Sequence, residues 1–379
     1  MSQTKVEKQF IKNNRPFRNL LINGDMKIWQ RYGGSAVTIS DGSNEGYNSV
    51  DRWNMSFGSS AGGAIQWSRS TDVPAGEDFE YSLKMSPSTT TAATGTQELR
   101  FYQAIESQMI PDLAYGTSGA KTLTFSFYFK TNKVGLYSVY FQHAADGGTA
   151  KRKFLTFTPA ASDTWERIVL KVTGDTATAQ TMDDNSAGLY VYFTLDNTPN
   201  YDIDATEQDW TTSVLLGSEN NVNFFDNTSN ELYLTGCQLE VGDTPSDYEF
   251  LPYDVQLARC MRYYYDLAST GEFTDAATYI SMGAYYTTSY MLSFCHFPVP
   301  MRAEPTLTTT NASNTFYFYT GGSDGSGVGD GLDDLFMSGA SSKVGAMLAN
   351  STDASGPVGY AGGLFLSADK ICNFSAEIG

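Results

Sequence analysis

The sequence predicts an all-β protein: two antiparallel β-sandwich domains of jelly-roll type, joined by a short α-helix and preceded by an extended N-terminal arm. Three observations predict it. Apolar residues alternate with polar ones at a period of two along most of the chain, and Gly, Asn, Asp and Ser punctuate the runs. One stretch alone carries a helical period. A length of 379 residues suits two domains better than one. The expected boundaries are 1–18 for the arm, 19–252 for the first sandwich, 253–268 for the helix and 269–379 for a second β domain.

The arm, MSQTKVEKQFIKNNRPFR, lacks apolar periodicity and contains Pro16. Lys5, Lys8, Lys12, Arg15 and Arg18 stand there against Glu7 alone, a local charge of +4 on a chain of −18, leaving −22 for the rest. A basic arm on an acidic body is expected to dock on another component of an assembly. The acidity argues against nucleic acid as a partner, since phosphate binding needs clustered Lys and Arg. No apolar run reaches the ~18 residues of a membrane span, and the polar N-terminus lacks the apolar core of a secretory signal, so neither membrane insertion nor export is expected.

In the first domain, LTFSFYFK places Leu123, Phe125, Phe127 and Phe129 on one face of a strand and Thr124, Ser126, Tyr128 and Lys130 on the other, so one face is expected buried and one wet. Ile168, Leu170 and Val172 repeat the pattern, as do Leu189, Val191, Phe193 and Leu195. In NELYLTGCQLEV the apolar register shifts between Leu234 and Cys237, which requires a β-bulge near Gly236. Many short strands with no intervening helical pattern indicate a sandwich or jelly roll.

Residues 253–267, YDVQLARCMRYYYDL, carry Val255, Leu257, Ala258, Met261 and Tyr264 or Tyr265 at helical spacing, with Asp254 as the expected N-cap. The stripe would be buried either on the protein's own sandwich or in an oligomer seam. Alternation returns in TYISMGAYY, SYMLSFCHFPV, TFYFYT, GGLFLS and ICNFSAEI, with the Gly- and Asp-rich loop GGSDGSGVGDGLDD between.

Cys237, Cys260, Cys295 and Cys372 are dispersed among apolar neighbours and read as reduced, buried thiols. No Cys-x-x-Cys supports zinc, and no cofactor is expected. The acidic loops, DDNSAG at 183–188 and Asp324, Asp330, Asp333 and Asp334, lack the spacing of a calcium loop and read as solvated turns, although oxygen-rich loops are the one place for a structural calcium. Nothing points to an enzyme. His143 lies in a turn-like stretch, and His296 adjoins Cys295 on a strand, where neighbours point to opposite faces.

Several phrases in combination carry a family likeness. NLLINGDMKIWQR at 19–31, DRW at 51–53, TLTFSFYFK at 122–130, WERIVLKV at 165–172, the long run NFFDNTSNELYLTGCQLEVGDTPSDYEFLPYDVQLARCMRYYY at 223–265, FPVPMRAEPTL at 297–307 and ADKICNFSAEI at 368–378 together resemble the distal parts of tailed-phage fibre proteins. The resemblance covers nearly all of the chain beyond the arm, and the first half also looks like a carbohydrate-binding module of jelly-roll form. It implies a virion appendage, usually trimeric, made in the host bacterial cytoplasm and attaching to a host surface glycan. It supplies no set of binding residues.

Glycan recognition needs aromatic faces to cover the apolar side of a sugar and polar groups to bond its hydroxyls. Trp210, in the turn-rich and acidic stretch TPNYDIDATEQDWTTS with Tyr201, Asp204 and Asp209, is the leading candidate, and Trp67 a second. The competing reading has Trp210 plugging an edge of its own sandwich, and Trp29, Trp53 and Trp165 read as core. The expected function is a short trimeric fibre that binds host glycan. The alternatives are a passive head-fibre, collar or adaptor protein, and a polysaccharide depolymerase, for which no solenoid repeat is visible.

Overall fold

The computed structural model describes residues 17–40, 43, 45–58, 62–91, 98–143, 150–177, 184–196, 201–268, 278–321, 328–339, 341–368 and 370–378. Lys5, Lys8, Lys12, Arg15 and Asp324 lie outside them, as does Asp183. The chain divides into two compact units: Gly34–Pro252 with the segment up to Trp29 and Ile378, and Tyr253–Glu377 with Gln30–Gly33. Both are built almost wholly of antiparallel strands, as the alternation predicts.

The first unit contains β1 (Val37–Ser40), β2 (Asn54–Gly58), β3 (Ala64–Ser70), β4 (Ser82–Thr89), β5 (Glu98–Glu106), β6 (Leu123–Thr131), β7 (Tyr137–His143), β8 (Lys151–Phe157), β9 (Glu166–Val172), β10 (Ala187–Thr194), β11 (Asp202–Ile203), β12 (Glu207–Thr211), β13 (Gly217–Ser218) and β14 (Leu232–Val241). One sheet runs β1-β3-β4-β14-β6-β9 and the other β12-β8-β7-β10-β5-β2. Their facing sides make a core of rings: Phe101 stacks on Phe193 at 4.5 Å, and Phe125, Phe127, Trp53 and Trp67 close around them, all fully buried. Such rings are the main apolar contribution to the fold, since each removes ~150–250 Å² from water.

The bulge falls where the register shift requires it. Pairing of β14 with β6 slips between Thr235 and Gln238, and Gly236 sits at φ +64°. A Cβ there would stand 2.6 Å from Phe79 Cζ, so the position excludes a side chain.

The wet face expected of LTFSFYFK is a correction: Thr124, Ser126 and Tyr128 are buried as well as their apolar neighbours. The sheet is roofed. Phe79 packs at 5.3 Å from Tyr128 and 5.1 Å from both Tyr248 and Phe250. Beside it, Gln238 Nε2 donates to Glu240 Oε1 at 3.0 Å and Ser246 Oγ at 3.1 Å. Arg18, expected in the docking arm, belongs to this roof: its guanidinium donates to Ser246 Oγ at 2.8 Å and the Asp247 carbonyl at 2.5 Å, with Glu240 and Glu249 each 3.9 Å away.

NLLINGDMKIW forms no strand, yet it is sequestered because its backbone polar groups find partners. Asn19 Oδ1 accepts from Leu21 and Leu239 N–H, and the Gln103 amide pairs with both Ile22 N–H and C=O at 2.7 and 2.8 Å. Those bonds let Leu21, Ile22, Met26, Ile28 and Trp29 be buried.

The second unit opens with α1 (Tyr253–Met261) and continues through β15 (Tyr264–Ala268), β16 (Thr278–Thr287), β17 (Tyr290–His296), β18 (Thr306–Thr309), β19 (Phe316–Thr320), β20 (Val328–Leu332), β21 (Phe336–Met337), β22 (Gly345–Asn350), β23 (Ala361–Leu366) and β24 (Cys372–Ser375). The helix expected to reach 268 stops at Met261, because Tyr264 and Tyr265 pair as a strand with Ser375 and Phe374. Aromatic runs favour the pleated surface. Asp254 lies within the first turn instead of capping it. The buried line is Gln256, Cys260 and Tyr263, while Val255, Leu257, Ala258 and Met261 are half-buried. A three-stranded sheet, β15-β24-β18, and a seven-stranded sheet, β20-β19-β23-β16-β17-β22-β21, share a core that includes Phe316, Phe318, Met291, Leu364, Cys372 and Phe374.

Candidate functional site: a tyrosine row on the outer face of the second sheet

Strand register determines what stands on the side of β12-β8-β7-β10-β5-β2 that faces away from the core. Leu99, Phe101, Val191, Phe193, Val139 and Phe141 point inward, so their neighbours point out. Cross-strand pairing then lines up Asn54, Tyr102, Tyr192, Tyr140, Phe154 and Gln208 in one row across six strands. Ring centroids are 4.5 Å apart for Tyr102 and Tyr192, and 4.3 Å for Tyr192 and Tyr140. Arg100 Nη1 donates to Tyr140 Oη at 2.8 Å, pairs with Glu98 at 2.5 Å, and holds its guanidinium 5.3 Å from the Tyr192 ring.

Half of this row is roofed. The stretches on either side of β12, through Tyr201, Ile203 and Ala205 and through Leu215 and Leu216, lie over it, fastened by Thr194 Oγ1 donating to the Leu216 carbonyl at 3.0 Å and Ser218 N–H donating to Ser138 Oγ at 3.1 Å. Leu216 joins Tyr140, Phe154 and Tyr192 in a buried cluster. Burial pushes the Tyr140 and Tyr192 hydroxyls far above the ordinary tyrosine pKa, so both stay neutral.

The other half is open. Ala104, Tyr190, Gln142 and Arg152 form the adjoining row, and Tyr190, Gln142, Arg152 and Tyr102 are each half-exposed. The Tyr102 and Tyr190 rings lie 5.9 Å apart, and Tyr47 closes on Tyr102 edge-on at 6.5 Å. Arg152 Nε is buried with no hydrogen-bond partner among the described residues. Two rings, an amide and a guanidinium therefore share one surface. That combination covers the apolar face of a sugar ring while bonding its hydroxyls.

The predicted residues divide between the two sides of the sheet. Tyr201 packs on the outer cluster, at the margin of the open patch. Trp210 packs on the core side: its ring stands 5.0 Å from His143 and 5.7 Å from Tyr115, and Nε1 donates to the Thr173 carbonyl at 2.7 Å. It plugs the edge of its own sandwich. Asp209 is occupied by Lys153 Nζ at 3.0 Å and Asp204 accepts from Asn220 Nδ2 at 3.3 Å, so the expected Trp210 platform is not assembled. Trp67 is fully buried against Phe101, beyond the reach of any ligand. Trp165, expected in the core, is half-exposed, held by a hydrogen bond from Nε1 to Asp72 Oδ1 at 2.9 Å.

His143 ends β7 inside the sandwich, with Nε2 2.8 Å from Asp175 Oδ2. Among the described residues no hydroxyl or thiol nucleophile is hydrogen-bonded to it, so this pair lacks the third member of a hydrolytic triad. His296 is exposed on β17 while Cys295 points into the core, as alternation requires. The acidic groups weighed for calcium are engaged by protein donors: Asp330 Oδ2 accepts from Tyr285 Oη at 2.8 Å, Asp333 Oδ1 from Asn314 N–H at 2.8 Å, and Asp334 from Asn350 Nδ2 at 3.3 Å. Among the described residues no three metal-ligating side chains converge.

Sequence reasoning missed Tyr102, Tyr190, Gln142 and Arg152. The signal was present: LYVYF and RFYQ place tyrosines at the strand positions that alternate with the core residues.

No family model matches the chain, and no curated protein matches it in sequence. Solved structures show distant similarity. The enzymatically active domain of tailspike protein 4 of bacteriophage CBA120 is 13% identical over 60% of this chain and 22% of that one, with a TM-score of 0.31. A family 11 carbohydrate-binding module from Clostridium thermocellum, in complex with a mixed-linked tetrasaccharide, is 10% identical over 55% of this chain and 96% of that one, at 0.29. A putative sugar binding protein from Bacteroides thetaiotaomicron is 14% identical over 59% and 100%, at 0.30. Scores this low establish neither a shared fold nor a shared ligand.

Proposed function

We propose that this chain is a non-catalytic virion appendage, a short homotrimeric fibre that attaches a tailed phage to a glycan on the host surface. The open patch of Tyr102, Tyr190, Gln142 and Arg152 is the glycan site. The single observation that carries this reading is the placing of two half-exposed tyrosine rings 5.9 Å apart beside a row that continues through the Gln142 amide to Arg152. The phrases that resemble those of phage fibre proteins supply the virion context. A small, open site of this kind binds weakly, and several copies on one particle raise its strength through effective concentration.

The test is a glycan array probed with the full chain, followed by adsorption competition with the purified protein. Binding that disappears in Tyr102→Ala with Tyr190→Ala supports the site. Reproducibly blank arrays together with unhindered adsorption would leave a passive head-fibre, collar or adaptor protein. Release of reducing sugar from host polysaccharide would make the chain an enzyme.

A further inference from the structure

Apart from His296 at the end of β17, the strands of the seven-stranded sheet in the second unit present no acidic or basic side chain on their outward face. Register places Tyr317 and Tyr319 beside Phe365 and Gly363, these beside Tyr279 and Met282, and Leu292 and Phe294 beside Ala284, Met347 and Ala349. No Asp, Glu, Lys or Arg points outward from these strands, although the chain has 42 acidic and 24 basic residues. Several of the side chains stand well clear of their neighbours: Met282 is 60% exposed, Tyr286 70%, Tyr279 52%, Phe336 42% and Tyr319 40%.

We infer that this face is where copies of the chain meet, so that the oligomer of the proposed reading is held by the second unit. Area is the first argument. At ~200 Å² for a whole aromatic side chain, the four exposed rings alone present roughly 400 Å², and the half-buried rings between them carry the patch toward the ~800 Å² per partner of a stable interface. A patch of this size is often a functional surface. Charge is the second. A chain of −18 repels its own copies, and a neutral face is where two of them can approach without like charges opposed. A sugar fits poorly here, because the exposed side chains offer tyrosine hydroxyls but no amide, carboxylate or guanidinium to engage a ring of hydroxyls.

Light scattering on the full chain at micromolar concentration tests this, with Met282→Glu, Tyr286→Glu and, as a control on the first unit, Val169→Glu. The expected wild-type mass is an integer multiple, greater than one, of 41.4 kDa. Either charge on the sheet should reduce it to one copy with the far-ultraviolet spectrum unchanged, while Val169→Glu should leave it intact. A monomeric wild type overturns the inference, and so does an oligomer that survives both sheet charges. Should the variants not fold, covalent footprinting of wild-type Tyr286 decides: protection lost on dilution supports the interface, and full labelling at every concentration overturns it. Glycan binding at Tyr102 and Tyr190 is read separately, so either reading can fail alone.

Discussion

The rings of Tyr140 and Tyr192 stack at 4.3 Å with 8° between their planes, on the outer side of a sheet whose inner side is already a phenylalanine core. An aromatic layer on both faces of one sheet separates two roles. The roofed pair is structural, and the open pair, Tyr102 and Tyr190, is the one that the proposed function assigns to ligand.

Substitution should separate these roles. Tyr190→Ala should weaken glycan binding by about tenfold, ~1.4 kcal/mol, with little change in melting temperature, since its ring is half-exposed. Tyr192→Ala should instead cost about 3–5 kcal/mol of stability by opening a cavity under Leu216. Titration calorimetry and scanning calorimetry on both variants distinguish the outcomes. A Tyr190→Ala protein that binds as the wild type does would remove the patch from consideration.

Gly236 is the second point of leverage. At φ +64°, and with Phe79 Cζ 2.6 Å from where a Cβ would stand, Gly236→Ala combines left-handed backbone strain with a steric clash. The expected loss is about 2–4 kcal/mol. Denaturant melts of the first unit check it, and a change below ~0.5 kcal/mol would mean that the bulge relaxes freely.

Acid should destabilise the first unit through His143. Burial drives its pKa below 6.5, and the opposing pull of Asp175, 2.8 Å away, is the smaller effect. The unfolded histidine takes a proton near pH 6.5 while the folded one resists, so the unfolded state holds more protons just below that pH. Stability therefore falls as pH drops from 7.5 toward 5.5, by up to about 1.4 kcal/mol per pH unit. The chain has two histidines and His296 is exposed, so His143→Gln should flatten the slope of melting temperature against pH across this window.

Much of the fold was legible in the sequence because strand alternation is local. The core faces of β6, β9 and β10 and the bulge at Gly236 follow from spacing alone. What spacing cannot report is what lies over a sheet's second face. Tyr128 is covered by Phe79, which packs on Tyr248 and Phe250, Thr124 is tied to the Gly242 carbonyl, and Tyr192 lies under Leu216, partners remote or unpatterned in sequence. For the same reason spacing alone does not separate the core-facing Trp210 from the outward-facing Tyr190. A tryptophan among turn residues looks solvent-facing, and only the pairing of β12 with β8 shows the ring directed toward Tyr115 and His143. The helix was overextended because a tyrosine run satisfies a helical period and a strand equally, and pairing with β24 decided it.

The four cysteines offer a way to follow the two units independently. Cys237 lies in the core of the first unit, and Cys260, Cys295 and Cys372 lie in the second, all buried and none in a disulfide. Burial pushes the Cys237 and Cys372 thiols far above the ordinary range and Cys295 to about 11, so the reactive thiolate is scarce as well as inaccessible. A thiol reagent at neutral pH should label none of them in the native protein and all four in concentrated denaturant. At intermediate denaturant, mass spectrometry of the labelled peptides should show Cys237 reacting separately from the other three if the units unfold as two cooperative bodies. Simultaneous labelling of all four would mean one transition, and rapid labelling of Cys237 without denaturant would contradict the closed sandwich core.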